Sequence, residues 1–77
     1  MNVAQLKINK FDIGDLVWIP AYTDLYSHPT IWIAAKTLKE PTYGLVIEIN
    51  SVNSRVLVGD KLYYIGNKNL YGEKYDY

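Results

Sequence analysis

The fold is decided by the stretch from Tyr43 to Ile65, which reads YGLVIEINSVNSRVLVGDKLYYI. It contains three short runs rich in Val, Ile, Leu and Tyr, at residues 43–49, 55–58 and 61–65, with polar breaks between them. Such runs between turn-forming residues predict β-strands, and the Gly59-Asp60 pair predicts a tight hairpin turn. The stretch therefore predicts a three-strand antiparallel meander, which the rest of the chain is expected to close into a small barrel.

Side chains alternate between the two faces of a strand, so a single charged residue can assign both faces. Glu48 is the charged residue of the first run, and its face is expected to meet water together with Val46. Leu45, Ile47 and Ile49 are then expected to face the core. The same alternation along the other strands, with Tyr63 also inward, predicts a core of Val17, Ile19, Leu45, Ile47, Ile49, Val56, Val58, Ile65 and Leu70.

One strand is predicted before the meander. Gly14 tolerates a positive φ and Asp15 can accept hydrogen bonds from nearby amides, so residues 11–15 are expected to form a turn. Residues 16–19 follow as the first barrel strand. Pro20 ends this strand because it has no N–H to donate to a sheet.

A long connection separates this strand from the meander. Residues 21–42 exceed the usual loop length. We expect a two-legged loop whose arms pair weakly with each other, with strand character at residues 30–33. After the meander, residues 66–69 predict a single helical turn, and Leu70 with Tyr71 predicts a short closing strand.

The length of 77 residues indicates one small domain. Residues 1–10 are expected to be an arm that either adds an edge strand or extends into solvent, and residues 11–71 to be the barrel. Residues 72–77 are expected to be a polar tail that frays.

Composition excludes several kinds of site. The chain has no cysteine and one histidine, so it has no disulfide or thiolate metal site, and we expect no metal and no cofactor. Eight basic and eight acidic residues cancel, whereas nucleic-acid-binding proteins usually carry a basic excess. No run resembles a signal peptide or a membrane span, so we expect a soluble protein of a reducing interior that is not secreted.

No set of residues predicts catalysis. His28 stands alone in the long loop and is expected to be a surface or loop-packing residue, with a pH-sensitive contact as the alternative. Asp12, Asp15 and Asp24 are spaced as turn formers and solvated charges rather than as an acid/base pair. Catalysis needs convergent groups in a cleft, so we expect no enzyme.

The order of turn, strand, long loop, meander, helical turn and final strand is similar to SH3-like barrels. The resemblance is carried by residues 14–17 (GDLV), 44–49 (GLVIEI), 64–65 (YI) and 69–71 (NLY). It implies an all-β, five-stranded SH3-like barrel with a long loop between its first two strands. Peptide-binding SH3 domains hold proline-rich ligands in an aromatic groove with acidic residues in that loop. Tyr22, Tyr26, Asp24 and Glu40 match this pattern too thinly for the ligand class to carry over.

A narrower resemblance covers residues 14–71. Residues 15–20 (DLVWIP), 39–46 (KEPTYGLV) and 56–59 (VLVG), with the later YI and NLY, look like small uncharacterised proteins of tailed bacteriophages, notably those infecting marine cyanobacteria. This implies a setting, the virion or the host cytoplasm, and no activity.

The outer face of the sheet is the candidate binding surface. The alternation leaves large apolar residues outside, and exposed apolar patches rich in Trp and Tyr are typical of protein interfaces. The predicted partner-binding residues are Leu16, Trp18, Trp32, Leu57, Leu62 and Tyr64. The alternative is that Val3, Leu6 and Ile8 of the arm, or residues 31–33, fold back and cover this face.

Two functions therefore compete. The first is a protein-interaction module that binds itself or a phage or host protein, as a virion component or a host-directed factor. The second is a nucleic-acid-binding barrel that stacks bases on Tyr and Trp with help from Lys36, Lys39, Lys61 and Lys68. The zero net charge favours the first.

Overall fold

The structure is a computed structural model that describes the backbone of residues 4–76 and the side chains of residues 9–72. This part of the chain is mostly β-structure, with a 3₁₀ turn at Asn67–Asn69. Its strands are β1 (Ala4–Ile8), β2 (Leu16–Ile19), β3 (Asp24–Leu25), β4 (Lys36–Thr37), β5 (Thr42–Ile49), β6 (Asn53–Val58), β7 (Lys61–Gly66) and β8 (Gly72–Asp76).

The strands form three antiparallel sheets. The largest has the order β2-β5-β6-β7, and the other two pair β1 with β8 and β3 with β4. These sheets do not close into one barrel. The all-β class is therefore confirmed, while the five-stranded SH3-like barrel stays a prediction.

The predicted meander is confirmed as β5, β6 and β7. Gly59 has a φ of 65°, as the two-residue turn between β6 and β7 requires. In the break between β5 and β6, the Asn50 N–H donates to the Asn53 carbonyl at 3.1 Å. Strand β6 begins at Asn53, two residues before the predicted start.

A β-bulge in β5 reverses part of the predicted core. Val46 pairs with Val56, but Glu48 pairs with Arg55, so Ile47 is an extra residue on β5. Glu48 therefore points outward, whereas Val46, two positions earlier, points into the core and is only 1% exposed. The prediction that Leu45, Ile47 and Ile49 fill the core is wrong: Leu45 is half-buried, and Ile47 and Ile49 are each 39% exposed.

Most of the remaining core prediction is confirmed. Val58 and Tyr63 are half-buried and pack against the buried cluster. Leu25 and Leu38 join this cluster from the long loop, where sequence reasoning did not place core residues. The buried apolar residues are Val17, Ile19, Leu25, Leu38, Val46, Val56, Ile65 and Leu70.

The long loop has two paired legs, as predicted, because β3 and β4 form a two-residue ladder. The Asp24 carboxylate accepts a hydrogen bond from the Thr37 hydroxyl at 2.6 Å across this ladder. The expected strand at residues 30–33 is wrong: this segment forms no strand.

The predicted turn before β2 is confirmed. Gly14 has a φ of 92°, and the Asp12 N–H donates to Asp15 Oδ2 at 2.8 Å. The Asp15 N–H donates in turn to the Asp12 carbonyl at 3.1 Å. These two aspartates therefore belong to a turn, as expected, Asp15 through its carboxylate and Asp12 through its backbone.

The two ends of the described chain pair with each other. Strand β1 runs antiparallel to β8, from the Ala4–Asp76 pair to the Ile8–Gly72 pair. The polar tail of the sequence prediction thus contains a strand, and its partner is the segment expected to be an arm. Of the two residues predicted to form the closing strand, Tyr71 pairs with the main sheet, because its N–H donates to the Trp18 carbonyl at 3.1 Å. Leu70, directly before it, belongs to no strand.

Candidate interaction surface

A row of four leucines crosses the outer face of the main sheet. The register pairs Leu16 with Leu45, Leu45 with Leu57, and Leu57 with Leu62, so one leucine comes from each of β2, β5, β6 and β7. Directly paired residues of an antiparallel sheet point to the same face. Because Val17, one residue from Leu16, is fully buried, this leucine row faces away from the core.

The two ends of the leucine row are open to solvent. Leu16 is 63% exposed and Leu62 is 41% exposed, while the inner members Leu45 and Leu57 are half-buried between their neighbours. Leucines on an outward sheet face give up favourable burial unless something covers them. The row therefore marks an apolar band that a second surface can cover.

An aromatic row lies on one side of the leucine row. Trp18 pairs with Tyr43 across β2 and β5, and it is bridged on its other side to Tyr71. The Trp18 and Tyr71 rings lie 5.9 Å apart with their planes tilted by 58°. Tyr71 thus covers part of Trp18, which is half-buried, whereas Tyr43 is exposed.

A charged row lies on the other side of the leucine row. Glu48 pairs with Arg55, which pairs in turn with Tyr64. Glu48 is exposed, and Arg55 and Tyr64 are half-buried. The outer face therefore presents an aromatic, a leucine and a charged row in parallel.

The structure brings together five of the six residues predicted to bind a partner: Leu16, Trp18, Leu57, Leu62 and Tyr64. Trp32 lies apart in the long loop and is 71% exposed. Its ring meets the edge of the Tyr26 ring at a centroid distance of 5.7 Å. Tyr26 is bridged to Tyr64, so Trp32 borders the outer face through Tyr26.

The sequence prediction missed Leu45 because the bulge reversed its assigned direction, and it gave Tyr43 no direction. Residues 31–33 do not cover the outer face, since all three are exposed and Trp32 contacts Tyr26. The other cover that the sequence allowed, by Val3, Leu6 and Ile8, concerns side chains outside the described residues.

A cleft of about 690 Å³ lies beside this face, between the long loop and the 3₁₀ turn. Tyr22, His28 and Trp32 line it and are exposed, and Tyr22 takes a left-handed φ of 64° that is uncommon for a bulky residue. The Asn53 and Asn67 side-chain amides, which also line the cleft, already bond within the protein. Asn53 Nδ2 donates to the Pro29 carbonyl at 3.2 Å, and Asn67 bonds to Ser54 and Asn50.

The alternative nucleic-acid residues do not form one uninterrupted basic patch, because acidic residues lie among three of them and Lys68 lies apart. Lys36 and Lys61 share a shallow depression with Asp60, whereas Lys68 lines the cleft on the 3₁₀ turn. Lys39 lies beside Glu40 at an adjoining depression, which Lys36 also lines. Carboxylates next to these lysines weaken the positive potential that a phosphate backbone needs.

Within the described residues, no three His, Asp or Glu side chains gather to hold a metal ion. Among the described residues, no helix has the length and apolar character needed to span a membrane. No protein-family model, curated protein or solved structure matches the chain.

Proposed function

We propose that this protein is a non-enzymatic protein-binding module whose contact surface is the outer face of the main sheet. The main support for this proposal is the leucine row, in which four paired residues from four strands form one continuous apolar band. Aromatic residues beside it supply the large, rigid side chains typical of interface hot spots. The charged row supplies a polar border.

We also propose that the chain folds as an SH3-like barrel. The element order supports it, since a 3₁₀ turn follows the meander and Tyr71 then pairs with Trp18 of the first sheet strand. The Tyr26–Tyr64 bridge joins the long loop to the opposite edge strand. The proposed setting, a phage protein of the virion or host cytoplasm, rests on the sequence resemblance alone.

The test compares Leu62→Glu with Ile33→Glu. Both substitutions place a carboxylate on an exposed apolar position, but only Leu62 belongs to the leucine row. Association is measured by light scattering over a concentration series and by pull-down from host lysate. We expect the parent and Ile33→Glu to associate equally and Leu62→Glu to associate at least about tenfold more weakly.

Equal association of both variants would contradict the proposed surface. The salt dependence separates the two competing functions. A protein contact through leucines should change little between about 50 and 200 mM salt, whereas binding through phosphates should fall steeply. A steep fall, with nucleic acid in the captured material, would support the nucleic-acid alternative instead.

A further inference from the structure

We propose that the outer face binds a second copy of this chain, related by a two-fold axis that runs parallel to the strands between β5 and β6. This rests on the proposed function and names its partner. Closed homodimers use one self-complementary patch on both subunits. The leucine row and the Glu48–Arg55 pair of the outer face meet this condition in one orientation.

The leucine row packs on itself in this arrangement. The rotation exchanges β5 with β6 and β2 with β7, because the sheet order is β2-β5-β6-β7. Leu45 then lies over Leu57 of the second copy, and Leu16 over Leu62 of the second copy. Two sheets stacked with nearly aligned strands, about 10 Å apart, are a common packing geometry.

The charged row selects this axis. Glu48 of each copy comes opposite Arg55 of the other, because these residues are paired across β5 and β6 within one chain. Neither makes an ion pair with another described residue, so both charges are available. The four charges then alternate in sign around the axis.

Tyr43 of the aromatic row also has room in this orientation. Tyr43 lies two residues before Leu45, and Gly59 lies two residues after Leu57, so both stand at the same level of the sheet. Tyr43 therefore comes opposite Gly59 of the second copy. A glycine in the turn leaves room for the ring.

A two-fold axis along the leucine row is another way to stack this face with aligned strands. It would place Glu48 over Tyr43 and Arg55 over Gly59 of the second copy, with no opposite charges in contact. The Glu48–Arg55 pairing therefore favours the axis parallel to the strands.

Charge and size set the expected strength of the dimer. The chain has a net charge of zero, so two copies do not repel each other at long range. A four-strand face with three rows is a small interface, below about 1,200 Å² in total. We expect a reversible dimer with a Kd in the micromolar range.

The first experiment exchanges the two charges. Glu48→Arg and Arg55→Glu alone should each raise the Kd about tenfold or more, because each places like charges opposite each other across the axis. An equimolar mixture of the two variants should associate as the parent does, since all opposed charges then differ in sign. Circular dichroism confirms that both variants fold, and analytical ultracentrifugation measures the association.

The second experiment uses the absence of cysteine. Leu16→Cys and Leu62→Cys each introduce one thiol, at opposite edges of the sheet about 14 Å apart. A short bifunctional thiol reagent should link Leu16→Cys to Leu62→Cys in a mixture and link neither variant to itself. Linking of each variant to itself would indicate the other axis and overturn the proposal.

The outcomes separate this inference from the proposed function. A parent that stays monomeric up to millimolar concentration overturns the second copy as partner. If such a monomer captures another protein and Leu62→Glu loses it, the proposed function stands without the dimer. A dimer that the mixed charge variants fail to restore also overturns the proposed arrangement.

Discussion

Val46 and Ile47 are adjacent in sequence but differ in burial because the bulge in β5 begins between them. Val46 faces the core at 1% exposure, and Ile47 is 39% exposed. Val46→Ala is therefore expected to lower the free energy of unfolding by about 2 kcal/mol, from lost burial and the cavity left behind. Ile47→Ala should lower it by less than about 1 kcal/mol. Urea denaturation of both variants checks this difference.

A larger loss for Ile47→Ala than for Val46→Ala would contradict the bulge. The sequence does predict that Glu48 meets water, because a lone carboxylate avoids a core. It does not predict the bulge, since no residue in the run at residues 43–49 indicates that the strand contains an extra residue. Counting by twos from Glu48 therefore fails at Leu45 and Val46.

The 3₁₀ turn is held to the sheet by the side chain of Asn67. Its Oδ1 accepts from the Ser54 hydroxyl at 2.6 Å, and its Nδ2 donates to the Asn50 carbonyl at 2.8 Å. Ser54 is fully buried, so removing its acceptor leaves a buried hydroxyl unsatisfied. Asn67→Ala is expected to lower the free energy of unfolding by about 1–3 kcal/mol.

A double-mutant cycle measures this contact. Ser54→Ala with Asn67→Ala should cost less than the sum of the single changes, by about 1 kcal/mol. Asn69→Ala, in the same turn, is the control and should change stability little. Strict additivity would mean that the Ser54–Asn67 hydrogen bond does not contribute.

The sequence predicts the position of this turn but not its attachments. Asn9 also reaches it, because its amide donates to the Leu70 carbonyl at 2.7 Å and to the Lys68 carbonyl at 3.2 Å. Asn in a turn has many uses, and its partner can lie anywhere in the chain. Residues about 60 positions apart in sequence meet here, which local pattern reasoning cannot detect.

At the scale of the whole molecule, the proposed dimer would couple to stability. A second copy that binds the folded chain and not the unfolded one raises the melting temperature as protein concentration rises. For a domain this small, about 1 kcal/mol shifts the midpoint by roughly 4–8 °C. We expect the parent to gain several degrees between concentrations below and above the Kd. Calorimetry over a dilution series measures this shift.

Arg55→Glu is the control for this measurement. Since the substitution raises the Kd about tenfold or more, its melting temperature should begin to rise only at protein concentrations at least about tenfold higher than for the parent. A parent whose melting temperature stays constant over the whole dilution series would contradict self-association.

The sequence predicted the large-scale order of elements well. Short apolar runs and their turns predicted the meander, and the two-legged loop followed from its length. The β1–β8 pairing was not predictable, because residues 72–77 are mostly polar and residues 1–10 alternate weakly. Leu25 and Leu38 were missed because each is an isolated apolar residue among polar neighbours, which periodicity does not identify as core.

The bulge also decides where β5 can change length during evolution. Elsewhere in the strand, an insertion or deletion would exchange the faces of every residue on one side of it. At Ile47 the extra residue already stands outside the ladder, because Val46 and Glu48 pair with successive residues of β6. A descendant lacking this one codon would keep all other pairings. Divergent copies of the gene should therefore vary in length at this position and keep a constant length through the rest of β5.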